Sequence, residues 1–370
     1  VVLKHGEATF SKHIDIGPNT PYVEEIPIAA GVKDQDLTAI LFAADGRELV
    51  RYTPVVVDEK PLPELAENMK APSEYKTVEE LYLVGLRLEQ FHNGIIDPLP
   101  YYEEALRRDP MDLRVNTVLG IRLAREAKFA KAEEHLRRAV ERTTRNHMRA
   151  KDVEPHYYLG VVLKEQGRLK EAEDELWKAA WRDTYQRAAY MELAQIACRK
   201  GDYARALDMV DNALDVARRS SKAHTLKGYI LRKLDRKEEA AASLAEAAEE
   251  DPLDVWSAAE GCLLAGKGQS ALAAMQRDRG DRLQQLLEVV TDYGNLGATD
   301  EPLSLLAQAE AAGEGYTGPL LKYYAGYYRL GMGQVEEARK LFTQAAAMPT
   351  DYCFPFRHEE LQMLTAAVEL

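Results

Sequence analysis

Small and large apolar residues recur along the middle of the chain at a spacing typical of paired α-helices. Between Gly120 and Pro252, a small residue is followed by an alanine twelve positions later and by another alanine seven positions after that. Larger apolar residues lie between these anchors at the three- and four-residue intervals of one helix face. Four consecutive sets follow this rule: Gly120–Ala132–Ala139, Gly160–Ala172–Ala179, Ala194–Ala206–Ala213 and Gly228–Ala240–Ala247. The pattern predicts four helix pairs, with the small residues where two helices approach closely.

The period of this pattern indicates a repeat architecture. Successive sets begin 40, 34 and 34 residues apart, and an insertion of about six residues around 145–153 accounts for the longer first step. A 34-residue period with two helices is typical of the tetratricopeptide repeat (TPR), whose helix pairs stack on their neighbours. Gly167 and Gly201, in the turns of two pairs, supply the left-handed conformation that ends a helix. The predicted fold class is mainly α: a TPR-type α-solenoid, a right-handed superhelix of helix pairs, with a small β-rich N-terminal segment.

Less regular repeats flank the central four. Upstream, Thr77 and Glu80 form a capping box that opens a helix, and Gly85 is the first anchor of a further unit with one extra residue in its turn. Downstream, the spacing is lost after residue 252 and returns at Gly326–Ala338–Ala345. We predict five TPR-like units over residues 76–252, irregular helical repeats over 253–312, and a TPR-like repeat with a terminal helix over 313–370.

The first 57 residues have a different pattern. Three stretches have the alternating or β-branched character of strands: Tyr22–Ile28, Leu37–Ala43 and Glu48–Val57. The Asp45-Gly46 pair between the last two predicts a hairpin with a type I′ turn. Because so few apolar side chains build only a thin sheet, we expect residues 1–57 to be the end of a larger β-domain. Prolines at 61, 63 and 72 predict an extended linker over 58–75.

Composition and charge narrow the function classes. The 370 residues carry a formal net charge of −13 with a pI of about 5.3, so affinity for nucleic-acid phosphates is not expected as a global property. The three cysteines lie far apart, which argues against a disulfide framework and indicates reduced thiols in a cytoplasmic protein. No apolar run approaches the roughly 20 residues of a membrane span, so no membrane partner is predicted. The chain begins without methionine, so we expect the natural N-terminus to lie further upstream.

One motif resembles a nucleotide-binding loop but lacks two of its parts. Gly261–Gly268 has the glycine spacing and the lysine of a P-loop. Gly268 stands where Ser or Thr would hold magnesium, and no strand is predicted before the motif, so we interpret Gly266 and Gly268 as a helix C-cap and turn. The eight histidines have no metal-ligand spacing, and no nucleophile elbow is present. We therefore predict no catalytic residue, no metal and no cofactor.

The candidate binding residues follow from the geometry of the repeat. Fixed positions on the first helix of each pair line the concave groove of a TPR array. In this chain those positions hold seven basic and two acidic residues, although the chain is acidic overall. This inverted charge favours an acidic or extended peptide as the ligand. The predicted groove residues are Arg114, Arg125, Tyr157, Lys164, Arg199, Lys222, Tyr229, Arg232 and Lys233. The alternative is that these charges only keep an exposed helix face soluble.

Three segments carry a resemblance to a known family: Glu79–Leu86, Tyr102–Pro110 and Asp351–Arg357. Over about residues 30–370, the chain resembles large bacterial TPR proteins in which an uncharacterised β-rich domain precedes the helical array. The resemblance implies a longer parent protein, with a β-region similar to sugar-mutarotase-like folds upstream, more repeats downstream, and a setting in carbohydrate utilisation. Residues 92–96 and 146–151 depart from the family's forms, so no site is carried over to those loops.

Two function hypotheses from different classes follow. The first is a non-catalytic scaffold that mediates protein–protein interaction through its concave groove. The alternative is the helical half of a carbohydrate-active enzyme or sugar-binding protein whose catalytic groups lie mainly on a missing β-domain. Paired carboxylates facing the groove in a full-length parent would favour the enzyme, and a bare array would favour the scaffold. The sequence leaves the ligand and the oligomeric state open, because a fold does not dictate the side chains of its surface.

Overall fold

A computed structural model describes residues 1–5, 8–17, 20–55, 69–91, 94–146, 149–275, 282–313, 318–351 and 353–370. The chain divides into two compact units, Val1–Met69 and Lys70–Leu370. The first unit contains a small sheet and the second contains the helices. Across the described ranges, no helix is both long enough and apolar enough to cross a bilayer.

The N-terminal unit contains a four-stranded antiparallel sheet. Its strands are β1 (Val2–His5), β2 (Ala8–Ser11), β3 (Thr38–Phe42) and β4 (Glu48–Tyr52), in the order β2-β1-β3-β4. Leu3 of β1 lies opposite Phe10 of β2 and Ala39 of β3. Within the described part of this unit, Ile40 is the one large apolar side chain that is fully buried. The sheet is therefore as thin as the sequence predicts.

The sheet confirms one predicted hairpin and corrects two other expectations. Strands β3 and β4 form the hairpin, but Tyr22–Ile28 is not a strand, because Pro27 cannot donate to a sheet ladder. Strands β1 and β2 were not predicted, since four residues are too few to establish an alternating pattern. The turn is not type I′. Gly46 has a φ of +86° and donates to the Ala43 carbonyl, whereas Asp45 keeps a negative φ.

The predicted linker over 58–75 lies mostly outside the described residues, as do positions 92–93 and 147–148 of the two loops that depart from the family. A one-turn 3₁₀ helix at Pro72–Glu74 precedes the array.

Seventeen α-helices are described in the second unit, and they run as successive antiparallel pairs through the repeats. Their bounds are α1 Val78–Gln90, α2 Leu99–Arg108, α3 Leu113–Arg125, α4 Phe129–Thr144, α5 Glu154–Glu165, α6 Leu169–Ala179, α7 Asp183–Arg199, α8 Tyr203–Val216, α9 Ser221–Lys233, α10 Lys237–Glu250, α11 Val255–Leu264, α12 Ala271–Met275, α13 Arg282–Asn295, α14 Asp300–Ala312, α15 Pro319–Gly331, α16 Val335–Ala346 and α17 His358–Glu369. The predicted helical solenoid is thereby confirmed.

The small anchors are placed where two helices of one pair make contact. A Cβ atom built on Gly160 would lie 2.6 Å from Cγ of Leu176 in the partner helix, and Gly120 and Gly228 have the same relation to leucines sixteen residues later. Such a distance is far shorter than any normal contact, so each glycine admits a large side chain from the facing helix. The close approach lies within a pair and not between neighbouring pairs.

The predicted helix ends are confirmed by their backbone geometry. Thr77 Oγ1 accepts a hydrogen bond from the backbone N–H of Glu80, and the Glu80 carboxylate accepts one from the N–H of Thr77. Gly167 and Gly201 have φ values of +75° and +72° in the turns of two pairs. In the next pair the same left-handed position is taken by Asp235, with a φ of +59°.

Candidate functional site

The first helices α3, α5, α7 and α9 contain the nine predicted groove residues, and we call the surface that these positions form the inner face. Most of the cations on this face are bonded to acidic or amide groups of the same chain. The partners are Glu79 for Arg114, Glu192 and Gln195 for Lys164, Asn295 for Arg199, Asp292 for Lys222, Glu260 and Glu301 for Arg232, and Glu301 for Lys233. The predicted excess of positive charge is therefore largely neutralised.

Helix α13 supplies two of these partners from far along the sequence. Arg199 Nε donates to the backbone carbonyl of Asn295 over 2.9 Å, and Lys222 Nζ lies 2.7 Å from a carboxylate oxygen of Asp292. Gly297, two residues after the end of α13, lies against the end of α7. A Cβ atom built on it would be 3.2 Å from Cα of Arg199. Helix α13 thus covers the part of the inner face formed by α7 and α9.

A buried ionic network joins α9 to the irregular repeats. Arg232 bonds to Glu260, which is 0% exposed, and to Glu301 at 2.9 Å, while Lys233 lies 2.6 Å from Glu301. The hydroxyl of Tyr293 donates to Glu260 over 2.6 Å. Burial raises the pKa of Glu301, but hydrogen bonds from Lys233 and Arg232 outweigh it and the pKa is lowered. These cations hold the fold together.

The two predicted tyrosines occupy different environments. Tyr157 is half-buried, with ring centroids 5.2 Å from Tyr158 and 5.0 Å from Tyr185. Tyr229 is only 1% exposed and packs against Tyr203 and Tyr293. The expectation that Tyr229 offers apolar contact to a ligand is corrected, because its ring belongs to the core between α9 and α13.

Helix α17 covers a further part of the inner face. His358 Nε2 lies 3.2 Å from Glu165 Oε2 at the end of α5, and the His358 ring meets Phe129 of α4 edge to face at a centroid distance of 6.1 Å. The hydrogen bond to Glu165 is the main cause of the raised pKa of His358, against burial, which lowers it. Nothing in the repeat spacing predicts this contact.

Among the described residues of the helical unit, none covers the N-terminal end of the inner face. A cavity of about 740 Å³ there, which we call the N-terminal mouth, is lined by α1, residues 94–98, α3 and α5. Val118, Ile121 and the ring of Tyr158 give it an apolar wall. Its size and its mixture of apolar surface and a few polar groups are typical of ligand-binding clefts.

Two arginines of α3 face the mouth with different surroundings. Arg122 is within 3.7 Å of three carboxylates, those of Glu89, Asp97 and Glu126. Arg125, by contrast, forms no ion pair with any described residue. Among the described residues, Arg125 is therefore the predicted groove cation whose charge is available to a ligand.

Sequence reasoning missed both the neutralising acids and part of the mouth. Asp292, Glu260 and Glu301 lie where the repeat spacing is lost, so no position rule could assign them to the inner face. Arg122 lies two residues after the small anchor, between the positions expected to face the groove. For residues 94–98, which line the mouth, the sequence offers no indication other than the length of the turn in the first unit.

The P-loop-like motif has the structure of a helix end. It spans the last residues of α11, and Gly266 has a φ of +69° while the N–H of Lys267 donates to the Cys262 carbonyl. This confirms the C-cap interpretation of Gly266. Over the residues that the structure covers, no group of three or more His, Cys, Asp or Glu side chains is placed to hold a metal ion.

Two protein-family models match parts of the chain. The model described as "Tetratricopeptide repeat" matches residues 117–187 and 191–255. The model described as "YphG-like protein, second domain" matches residues 1–52.

Solved structures of helical-repeat proteins are similar to this chain at low sequence identity. PilF of Pseudomonas aeruginosa is 18% identical, with 65% of this chain and 100% of that chain covered and a TM-score of 0.47. A tetratricopeptide repeat protein from Parabacteroides merdae is 15% identical, with 79% and 98% covered and a TM-score of 0.45. YrrB, described as a TPR protein with an unusual peptide-binding site, is 16% identical, with 53% and 95% covered and a TM-score of 0.37.

The repeat spacing, the close-packed helix pairs and the match to the repeat model agree. The chain is a TPR-type α-solenoid that follows a small β-rich N-terminal segment.

Proposed function

We propose that this protein is a non-catalytic scaffold that binds an extended segment of a partner protein in the N-terminal mouth. The observation that carries the proposal is Arg125, a guanidinium without an ion pair in the described chain, beside the apolar wall of an open cavity of about 740 Å³. The Arg125 guanidinium is exposed at the cleft, and the nearby carboxylates of Glu89, Asp97 and Glu126 are bonded to Arg122, so Arg125 is accessible to an anionic ligand group.

The chemistry of the mouth specifies the ligand further. A carboxylate, from an acidic side chain or from a chain end, can accept two hydrogen bonds from the Arg125 guanidinium. An apolar side chain next to it can pack on Ile121 and Val118. The carboxylates around Arg122 disfavour a highly acidic segment. The best ligand is therefore an extended peptide with one acidic group flanked by apolar residues.

The proposed site uses fewer of the basic residues than the groove predicted from the sequence. Lys164, Arg199, Lys222, Arg232 and Lys233 are bonded within the chain and would have to exchange those partners to meet a ligand. Exchanging one ion pair for another contributes little net free energy. Arg125 and the apolar residues of the mouth supply most of the affinity.

The test is an array of decapeptides that vary in acidic and apolar content, followed by fluorescence anisotropy with the strongest binders. Arg125→Gln should weaken binding by about 2- to 12-fold, the effect expected when one hydrogen bond of ordinary net strength is lost at an exposed residue. Arg138→Gln is the matched control, since Arg138 is an exposed arginine on α4 that does not line the mouth. Equal affinities for wild type and Arg125→Gln would refute the proposed site.

A further inference from the structure

Contacts between distant parts of the helical unit distinguish this array from a simple solenoid. In repeat proteins each unit contacts only its neighbours. Here α17 contacts α5 through His358 and Glu165, and α13 contacts α7 through Asn295 and Arg199. The helical unit is closed upon itself, and the closure covers the middle of the inner face.

The closing contact of α17 is sparse and polar. The interactions described there are the His358–Glu165 pair, the T-shaped contact of the Phe129 and His358 rings, and a marginal approach of the Gln362 amide to Glu165 at 3.5 Å. Next to it lies a cavity of about 230 Å³ that includes Arg199, Tyr327 and Met363 in its lining. Loose packing around one ion pair contributes little free energy, so the contact can open without unfolding the repeats.

The same helix is held much more firmly by its own repeat. Glu360 is fully buried, accepts a hydrogen bond from Tyr324 of α15 over 3.1 Å, and pairs with Arg357 at 3.0 Å. Met363 is also buried. Arg357, just before α17, also donates to Gln284 of α13 over 2.8 Å, and Asn295 of α13 donates to Glu359 over 3.3 Å. Helix α17 therefore stays attached to α13 and α15, and the weak boundary lies between α17 and the pair α4–α5.

We propose that the helical unit opens and closes at the contact of α17 with α4 and α5, and that the His358–Glu165 pair is a pH-sensitive clasp that holds it closed. Opening would uncover Lys164 and Glu165, next to Arg199, on the inner face. The inference deepens the proposed function, because it adds a regulated surface to the binding site, but its test needs no peptide.

The direction of the pH response follows from the groups around His358. Glu165 on α5 and Glu359 on α17 raise the pKa of His358, with the hydrogen bond to Glu165 the largest cause, while burial and the Lys164 ammonium lower it. Phe129 of α4 contributes an uncharged ring edge. Because the pKa is higher in the closed form, protonation favours closure; the effect is complete below the open-form pKa and is lost as the pH rises through the closed-form pKa.

The test is the distance between spin labels on the two sides of the clasp. Lys131→Cys on α4 and Leu361→Cys on α17 provide exposed attachment sites, and Cys262 and Cys353 are replaced by serine. Cys198 can stay, since burial raises its pKa to about 12 and leaves it unreactive. Between about pH 5.5 and 8.5 the ratio of long to short distances should rise about threefold to tenfold, as for the loss of one partly buried ion pair.

Three variants in the same labelled background decide the outcome. His358→Gln and Glu165→Gln should each raise the long-distance population and remove its pH dependence. His224→Gln is the matched control, because His224 pairs with Glu246 elsewhere in the array and should leave the wild-type response intact. Circular dichroism melts verify that each variant is folded. A single short distance at every pH, or a pH response that persists in both His358→Gln and Glu165→Gln, would overturn the proposal.

Discussion

A Cβ atom at Gly160 would lie 2.6 Å from Cγ and 2.9 Å from Cδ2 of Leu176. At the scale of single residues, the missing side chain of this glycine therefore sets how closely α5 and α6 pack. Leu176 is fully buried, and side chains in a close-packed core cannot move aside without disturbing their neighbours. The sequence pattern identifies this position correctly, because a small residue opposite a large one recurs in every regular pair.

Gly160→Leu should therefore lower the free energy of unfolding by at least about 1–3 kcal/mol, the usual cost of overpacking a core. The measurement is a urea unfolding curve. Gly261→Leu is the control, since Gly261 is also helical but a Cβ atom there would have nothing within 4 Å of it, and the better helix propensity of leucine should leave stability equal or higher. An unchanged midpoint for Gly160→Leu would contradict the assigned repeat register.

At the scale of secondary-structure elements, the stacking of α9 on α11 and α14 depends on charge as well as on apolar packing. Glu260 is 0% exposed and depends on Arg232 and the Tyr293 hydroxyl to balance its charge. Breaking a buried pair leaves an uncompensated charge in a medium of low dielectric constant. The network explains how the irregular repeats join the regular array without the small-residue anchors.

Arg232→Glu should cost about 3–5 kcal/mol, because it replaces the only guanidinium described next to Glu260 with a second carboxylate. Arg236→Glu, three positions beyond the end of α9, disrupts an exposed pair with Glu239 and should leave the melting temperature close to that of the wild type. Thermal unfolding at neutral pH compares the two. Equal melting temperatures for both variants would show that Arg232 serves the surface and not the core.

Element by element, the regular repeats were predictable and the rest was not, for physical reasons. The pairs from α3 to α10 follow the spacing because each repeats the same close contact. The partners of the groove cations come from α11, α13 and α14, where tertiary contacts replace the periodic pattern. A periodic rule gives the direction of a side chain on its own helix, and it contains no information about a helix that folds back from a hundred residues away.

At the scale of the whole chain, most of the positive charge of the inner face is bonded to the chain's own acidic groups, whereas the sequence suggests that it meets an acidic ligand. The basic residues of α7 and α9 complement acids of the same acidic chain, and they therefore stabilise the closed array. Of the nine residues predicted for the groove, Arg125 lines the N-terminal mouth. This mouth is where we propose that a partner segment binds.

Site-specific photo-crosslinking tests this claim most directly. The photoreactive residue p-benzoylphenylalanine is placed at Ile121 in the apolar wall of the mouth, or at Val216 on α8, which is 43% exposed and lies outside the mouth. The probe is the strongest-binding acidic–apolar decapeptide from the array. We expect crosslinks from Ile121 that excess unlabelled peptide abolishes and that Arg125→Gln reduces, with none from Val216. Crosslinking that is absent at Ile121, or equal at the two positions, would contradict the account.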